Sequence, residues 1–382
     1  MLRTGLLRDD LWIKSVPSLY SNEKASKWLE RIKYPGNWSA DKINQFPADL
    51  ENLCLLIRLQ IVAFAFENTA MHYTSHHSMD ISPPTLYQRL VIEGKGSYCF
   101  GMNTFFLQMI RALGYRAYSG SGRINTAGSD SSPRFLAFVH QVLFVQPISG
   151  SSITYFVDAS GGGSCLTRPI LFKHGAKVLG ATPSEWHTLI KSARMDSSLA
   201  PAPDSTQSAG VEWHLIVTHE SEDHTSSSRI MYSFIEDEFF TMDYECSNIG
   251  IYSGVWHSKE SLFGDNVVCA KCFWLTDEEM ENELGKTGPS KETSSLQERD
   301  VYSEGYIPRW DGSFMTRYLG RFGLYKNELK KHVGTRSETV ETFRTELERI
   351  GVLRRYFGID IPESDITHIS GRASALASDG PG

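Results

Sequence analysis

The sequence predicts an α+β protein of more than one domain, on three observations. Amphipathic helical spacing is concentrated in residues 20–115. Past Gly114 the pattern switches to runs rich in β-branched and aromatic residues. Helical spacing then returns over Glu338 to Phe357. At 382 residues, and with about 150 residues per domain as a prior, two to three domains are expected. A core of that size needs no disulfide or metal staple.

Taken in order, Ser21 to Tyr34 has a polar start suited to capping, then Trp28, Leu29 and Ile32 at helical spacing. Leu50 to Phe66 continues as a long apolar helical pattern. From 97 to 113, Met102, Phe106, Met109, Ile110 and Leu113 step by three and four, and Gly114 stands where a left-handed C-terminal cap belongs. Phe135 to Val145 is apolar on both faces, as a doubly buried strand is. A turn cluster at Ile148 to Ser152 leads into a second strand, Ile153 to Val157. Further strands are expected at Glu212 to Thr218, Arg229 to Phe234 and Val267 to Leu275. Ser197 to Gly210 lacks large apolar groups and reads as a flexible insertion. The charged stretch Glu279 to Asp300, with Gly288 and Pro289, reads as a second exposed excursion. Val340, Phe343, Leu347, Ile350 and Leu353 share one side of the last helical pattern, and the small, polar tail after Ser370 is expected to be disordered.

Composition excludes several classes. A net charge of −7 with no basic tract argues against a nucleic-acid partner. Six cysteines at irregular spacing do not make a secreted disulfide framework. The opening MLRTGLLRDDLW has no apolar stretch of signal-peptide length before Asp9 and Asp10. The longest apolar run, Leu55 to Phe66, carries Arg58 and Gln60 and is too short to span a bilayer. No membrane partner and a reducing, cytoplasmic location are expected.

The chemistry centres on three residues. Cys99 follows Gly94 to Tyr98 and opens the third helix, where unpaired N–H groups and the positive end of the dipole favour a thiolate. Position alone does not decide, since a lone cysteine is commonly a small buried apolar group. A hairpin centred at Ser149 puts His140 opposite Asp158, within reach of an imidazole–carboxylate hydrogen bond. A histidine in so apolar a strand needs such a partner. Cys99, His140 and Asp158 then fit nucleophile, base and orienting acid, with the helix N-terminus as an oxyanion site. The chemistry is acyl transfer through a thioester; hydrolysis, transamidation and acetyl transfer all remain open on these residues.

The assembled segments resemble the arylamine N-acetyltransferase family. Lys95-Gly96-Ser97-Tyr98-Cys99-Phe100-Gly101 occupies the place of the family's Arg-Gly-Gly-Tyr-Cys-aromatic-Glu motif. Trp28 to Tyr34 looks like its aromatic-x-x-Arg-Ile-x-Tyr stretch, and Ala65-Phe66-Glu67-Asn68 is similar to its Pro-Phe-Glu-Asn element. His140 precedes an apolar strand as the family histidine does, and Phe156 to Gly162 loosely matches Val-Asp-Val-Gly-Phe-Gly. Met231 to Phe234 and Tyr252 to Phe263 are similar to further family segments, all in order from about 20 to 360. Three positions depart. Lys95 replaces the arginine and is expected to pair with Glu67 as a point charge. Ser97 replaces a glycine. Gly101 replaces a glutamate and is a poor helix former, at a cost on the order of 1 kcal/mol.

The resemblance implies a helical domain over 1–115 carrying Cys99, an antiparallel β-barrel domain over 116–260 with an insertion around 181–210, and an α/β lid over 261–382. It implies a papain-like Cys-His-Asp arrangement. It also implies ping-pong transfer of an acetyl, propionyl or malonyl group from acyl-coenzyme A to an aromatic amine or hydrazine, as in xenobiotic metabolism. Acyl-coenzyme A is a cosubstrate, and no resident cofactor or metal is expected. Gly161 and Gly162, just after Asp158, are candidates for backbone contact with the coenzyme A pyrophosphate. Cys269 and Cys272 have zinc-like spacing without a second pair. His76 and His77 read as a solvated loop, Arg31 and Tyr34 as helix packing, and Phe135 and Phe138 as core before acceptor pocket. The competing readings are a papain- or transglutaminase-like cysteine hydrolase and a catalytically weak binding homologue. Segments 28–34, 65–68 and 231–263 favour the transferase, since a generic triad does not require them.

Overall fold

A computed structural model describes residues 5–128, 132–194, 197–200, 210–221, 225–253, 261–286 and 314–376. The first part is helical, as expected. Helix α1 (Asn22–Arg31) buries Ala25, Trp28 and Leu29 along one side. Helix α2 (Leu50–Ala63) is capped by Asp49, whose carboxylate accepts from Asn52 N at 2.8 Å. It is enclosed on nearly all sides, so its polar Gln60 is satisfied internally by Trp28 Nε1 at 2.9 Å. Strand β1 (Phe66–Glu67), helices α3 (Ala70–Tyr73) and α4 (Pro83–Tyr87) and a helical turn over Gln88–Ile92 lead to α5 (Cys99–Ala112). Helix α5 ends where Gly114 adopts a φ of +93°. There Tyr115 N reaches Ile110 O and Gly114 N reaches Arg111 O, both at 3.0 Å, the Schellman closure its sequence predicts.

The chain then builds one antiparallel sheet from β2 (Arg116–Asn125), β3 (Phe135–Gln146), β4 (Tyr155–Val157), β5 (Ile170–Leu171), β6 (Lys177–Leu179), β7 (Glu185–Ala193), β8 (Val211–Glu220) and β9 (Ser226–Phe234). Its order is β5-β4-β3-β2-β9-β8-β7-β6, and edge strands β5 and β6 touch, so the sheet is barrel-like and nearly closed. Aromatic rings fill its interior: Phe156 stacks on Phe234 at 4.2 Å, and Phe144 lies between Tyr118 and Phe172. Strand β2 was not expected; its Gly120, Ser121 and Gly122 mask the β-former signal. Strand β7 occupies residues assigned above to the 181–210 insertion. It pairs on both sides and buries Trp186, His187 and Leu189, a strand signal the neighbouring Pro- and Ser-rich stretch obscured. Within that stretch, residues 201–209 lie outside the described residues.

Helix α6 (Thr241–Tyr252) follows, packed on β3. A second antiparallel sheet, β1-β10-β11-β12-β13, is made with β10 (Val268–Trp274), β11 (Leu319–Tyr325), β12 (Glu328–Val333) and β13 (Arg336–Thr342). Between β10 and β11, helix α7 (Asp277–Lys286) replaces the start of the expected 279–300 excursion, burying Met280 and Glu283; residues 287–313 lie outside the described residues. The expected helix over 338–357 begins only at α8 (Glu346–Val352). Thr339, Val340 and Thr342 are β-branched and join β13, and the capping box of Thr345 and Glu348 starts the helix. The tail expected to be disordered after Ser370 is docked as far as residue 376. Ser374 is buried with its Oγ 2.8 Å from His72 Nδ1, and Leu376 N donates to Glu346 at 2.8 Å. Residues 377–382 lie outside the described residues.

Candidate active site

Cys99 is the first residue of α5 and is buried. The turn ahead of it lies parallel against β1: Ser97 bridges Phe66, and Glu67 N donates to Ser97 O at 3.2 Å. This approach requires glycine at 96, where a Cβ would stand 1.7 Å from Ala65 O. The Cys99 thiol points toward β3, with Sγ 3.7 Å from Val139 O.

The next residue on β3 is His140, whose Nε2 lies 2.7 Å from Asp158 Oδ2, both side chains buried. The pair forms, though not through the expected register. Leu143 pairs with Val157 and Phe144 with Phe156, so the hairpin is centred on residue 150 rather than 149, and Asp158 stands just past the end of β4. The shift displaces the partner by two residues. An even displacement keeps both side chains on one face, whereas an odd one would have separated them.

Asp158 is saturated with donors. Tyr232 OH reaches Oδ2 at 2.9 Å, Asn103 Nδ2 reaches Oδ1 at 2.9 Å and Ser160 N reaches Oδ1 at 3.1 Å. Burial alone would raise its titration point. The His140 charge and hydrogen bond, with those from Asn103 and Ser160, outweigh burial and hold the carboxyl well below the usual carboxylate range. Burial likewise opposes charge on His140, but Asp158 and then Cys99 override it, and the imidazole is pushed up to about 10. With Nε2 committed to Asp158, Nδ1 is the ring atom left for the thiol. Tyr232 also lies against the imidazole, ring centroids 4.5 Å apart.

Asn103 was not singled out in the sequence. The signal was there: it is one turn on from Cys99, a lone amide among Met102, Phe105 and Phe106. Its Oδ1 accepts from Ala159 N at 2.9 Å and its Nδ2 also reaches Gln141 O at 2.7 Å, tying α5, β3 and the Asp158 turn together. Gly161 and Gly162 lie in the turn after Asp158, the first at a φ of +75° facing Ile61, the second facing Phe66. Around Cys99 is an apolar cluster that includes Phe66, Met71, Phe100, Val139, Tyr244 and Phe263.

The motif's departures resolve in the structure. Lys95 does not pair with Glu67; it reaches Glu93 at 3.1 Å, because the Glu67 carboxylate is already held by Arg89 at 2.5 Å. At Gly101 a Cβ would stand 2.1 Å from Ser97 Oγ, so the serine and the glycine are complementary, each filling or vacating the same space. Arg31 donates to Val91 O at 2.7 Å, and Phe138 packs on Phe239 at 5.5 Å. Cys269 and Cys272 are separated into two different apolar clusters. Among the described residues, no helix is long and apolar enough to cross a membrane.

Comparison with known proteins follows the same lines. A family model described as N-acetyltransferase matches residues 49–300. Over 372 residues the chain is 21% identical to the N-malonyltransferase FDB2 of Fusarium pseudograminearum (strain CS3096), covering 93% of each chain. Over 96 residues it is 33% identical to an arylamine N-acetyltransferase of Mycolicibacterium smegmatis, covering 25% of this chain and 34% of that one. The solved structure of the Mycobacterium marinum arylamine N-acetyltransferase in complex with CoA is similar in fold, with a TM-score of 0.60 at 19% identity, covering 92% of this chain and 98% of that one.

Proposed function

Because the chain belongs to the arylamine N-acetyltransferase family, we propose that it carries an acyl group from acyl-coenzyme A to an aromatic amine or hydrazine through a thioester on Cys99. The observation that carries this reading is the buried His140–Asp158 pair at 2.7 Å, with the cysteine that opens α5 beside it. A charged imidazole next to a thiol stabilises the thiolate, and the unpaired N–H groups of the first turn of α5 face the developing oxyanion.

In the first half-reaction the Cys99 sulfur adds to the thioester carbonyl, the bond from that carbon to the coenzyme A sulfur breaks, and His140 gives its proton to the departing thiolate. In the second, the acceptor amine adds to the acyl carbonyl and neutral His140 takes the amine proton. The bond to Cys99 then breaks, releasing the amide and restoring the thiolate–imidazolium pair. Asp158 keeps Nε2 bonded through both halves. The apolar surroundings of Cys99 favour an aromatic acceptor. Gly161 and Gly162 are proposed to let the coenzyme A pyrophosphate approach the backbone. The donor is acetyl-, propionyl- or malonyl-coenzyme A, the last supported by the full-length likeness to an N-malonyltransferase.

The test is intact-mass measurement after each of the three donors is added without acceptor. A gain of one acyl group, lost in Cys99→Ala and discharged by a simple arylamine, is the expected result. Peptide hydrolysis with no acyl adduct would favour the cysteine hydrolase. Binding of donor or amine without turnover would favour a binding homologue.

A further inference from the structure

Resting on the reading of Cys99 as nucleophile, we propose that Arg89 is the positioning residue that holds the nucleophile's turn in place. Helix α5 has no side-chain cap at its start: Tyr98 occupies the N-cap position without a capping hydrogen bond. Something else must therefore fix where Cys99 stands. The turn ahead of it touches β1 through one backbone hydrogen bond and the close approach of Gly96 to Ala65 O.

Arg89 spans that contact. Its Nε donates to Gly96 O at 2.6 Å, on the turn, and its Nη2 donates to Glu67 Oε1 at 2.5 Å, on β1. The same Nη2 reaches Thr69 Oγ1 at 3.1 Å, while Glu67 Oε2 accepts from Thr69 N and Oγ1, each at 2.6 Å. Glu67 is fully buried, so its charge requires this guanidinium; Lys95, the other cation of the segment, is turned to Glu93. The backbone of residue 89 contributes as well, accepting from Lys95 N at 3.0 Å. A planar fork is needed, because one group must meet a carbonyl and a carboxylate at once. Gly96 is three residues from Cys99, and displacement of a reacting group by about 1 Å costs on the order of a hundredfold in rate.

The experiment is single-turnover acylation of the full chain by acetyl-, propionyl- and malonyl-coenzyme A, reading both the rate constant and the amount of coenzyme A released per chain. Arg89→Met is expected to slow Cys99 acylation by about a hundredfold with near-stoichiometric release. Arg89→Lys is expected to slow it by about tenfold, since a point charge reaches only one partner. Lys95→Met is expected to stay within about twofold, as a half-exposed pair contributes little. A lowered amount at an unchanged rate constant in either Arg89 variant would mean that Arg89 only holds the fold together, and would overturn the proposal. So would an unchanged rate in both variants, or an equal loss in Lys95→Met. Should Arg89→Met not fold, Arg89→Lys carries the same comparison. Failure of the nucleophile reading is separate: it shows as acylation that survives Cys99→Ala.

Discussion

Two buried histidines, His72 and His140, have titration points driven to opposite sides of neutral pH. Both are enclosed; His72 uses both ring nitrogens in hydrogen bonds, and His140 its Nε2. Burial disfavours charge on each. At His72 the Arg372 and Arg349 guanidinium groups push the same way, and the ring is driven down to about 4. At His140 the Asp158 carboxylate reverses the effect and the ring is driven up to about 10. His72 is a neutral peg that Asn68 and Ser374 hold, joining the C-terminal segment to α3. His140 keeps its proton at neutral pH. Burial by itself favours the neutral ring, as at His72, and only an adjacent carboxylate reverses it, as at His140.

Removing the carboxylate should break the contrast most severely. Asp158→Asn is expected to slow single-turnover acylation of Cys99 by on the order of a thousandfold or more, as loss of the orienting acid does in such triads. Unaltered turnover would show that the His140 charge is not used.

The contrast also has a pH signature. The His72 titration point is depressed in the folded state, from about 6.5 in the unfolded chain to about 4. Its contribution is therefore present above pH 6.5 and is lost as pH falls toward 4, by on the order of 3 kcal/mol. For His140 the folded value is raised, so its contribution is complete below about 6.5 and is lost as pH rises through about 10. Denaturant unfolding across this range should show His72→Gln flattening the acid limb and His140→Gln the alkaline limb. The same change of slope in both variants would defeat the distinction.

Smaller changes sharpen it. Tyr232→Phe removes one of the donors to Asp158 and should lower the acylation rate by about tenfold, the worth of a hydrogen bond to a charged group. Ser374→Ala should cost about 1 kcal/mol of stability and leave acylation unchanged. A rate loss there would link the C-terminal segment to the chemistry.

Much of this was legible in the residues. The α5 helix, its Gly114 cap and the place of Cys99 at its start follow from spacing alone, because helix ends are marked by local signals. The His140–Asp158 partnership was also readable, although the hairpin centre was misplaced by one residue; parity, not exact alignment, decides which side chains meet. What escaped depends on distant contacts. Nothing near Arg89 in the chain announces Gly96 and Glu67 as its partners, and Lys95 was the natural local choice. Strand β7 hid beside a Pro- and Ser-rich stretch, and β13 hid in a pattern whose Val340 and Phe343 fit helical spacing by coincidence. The docked tail was unreadable because Ser374 is small, and only His72, some three hundred residues away, makes it matter.

The most direct test is titration of the His140 ring by NMR of imidazole-labelled protein, with His140→Gln to assign its signal. The expected result is a ring that stays charged up to pH about 10 and whose titration point drops sharply in Asp158→Asn. A ring that loses its proton near its ordinary value of about 6.5, with or without Asp158, would contradict it.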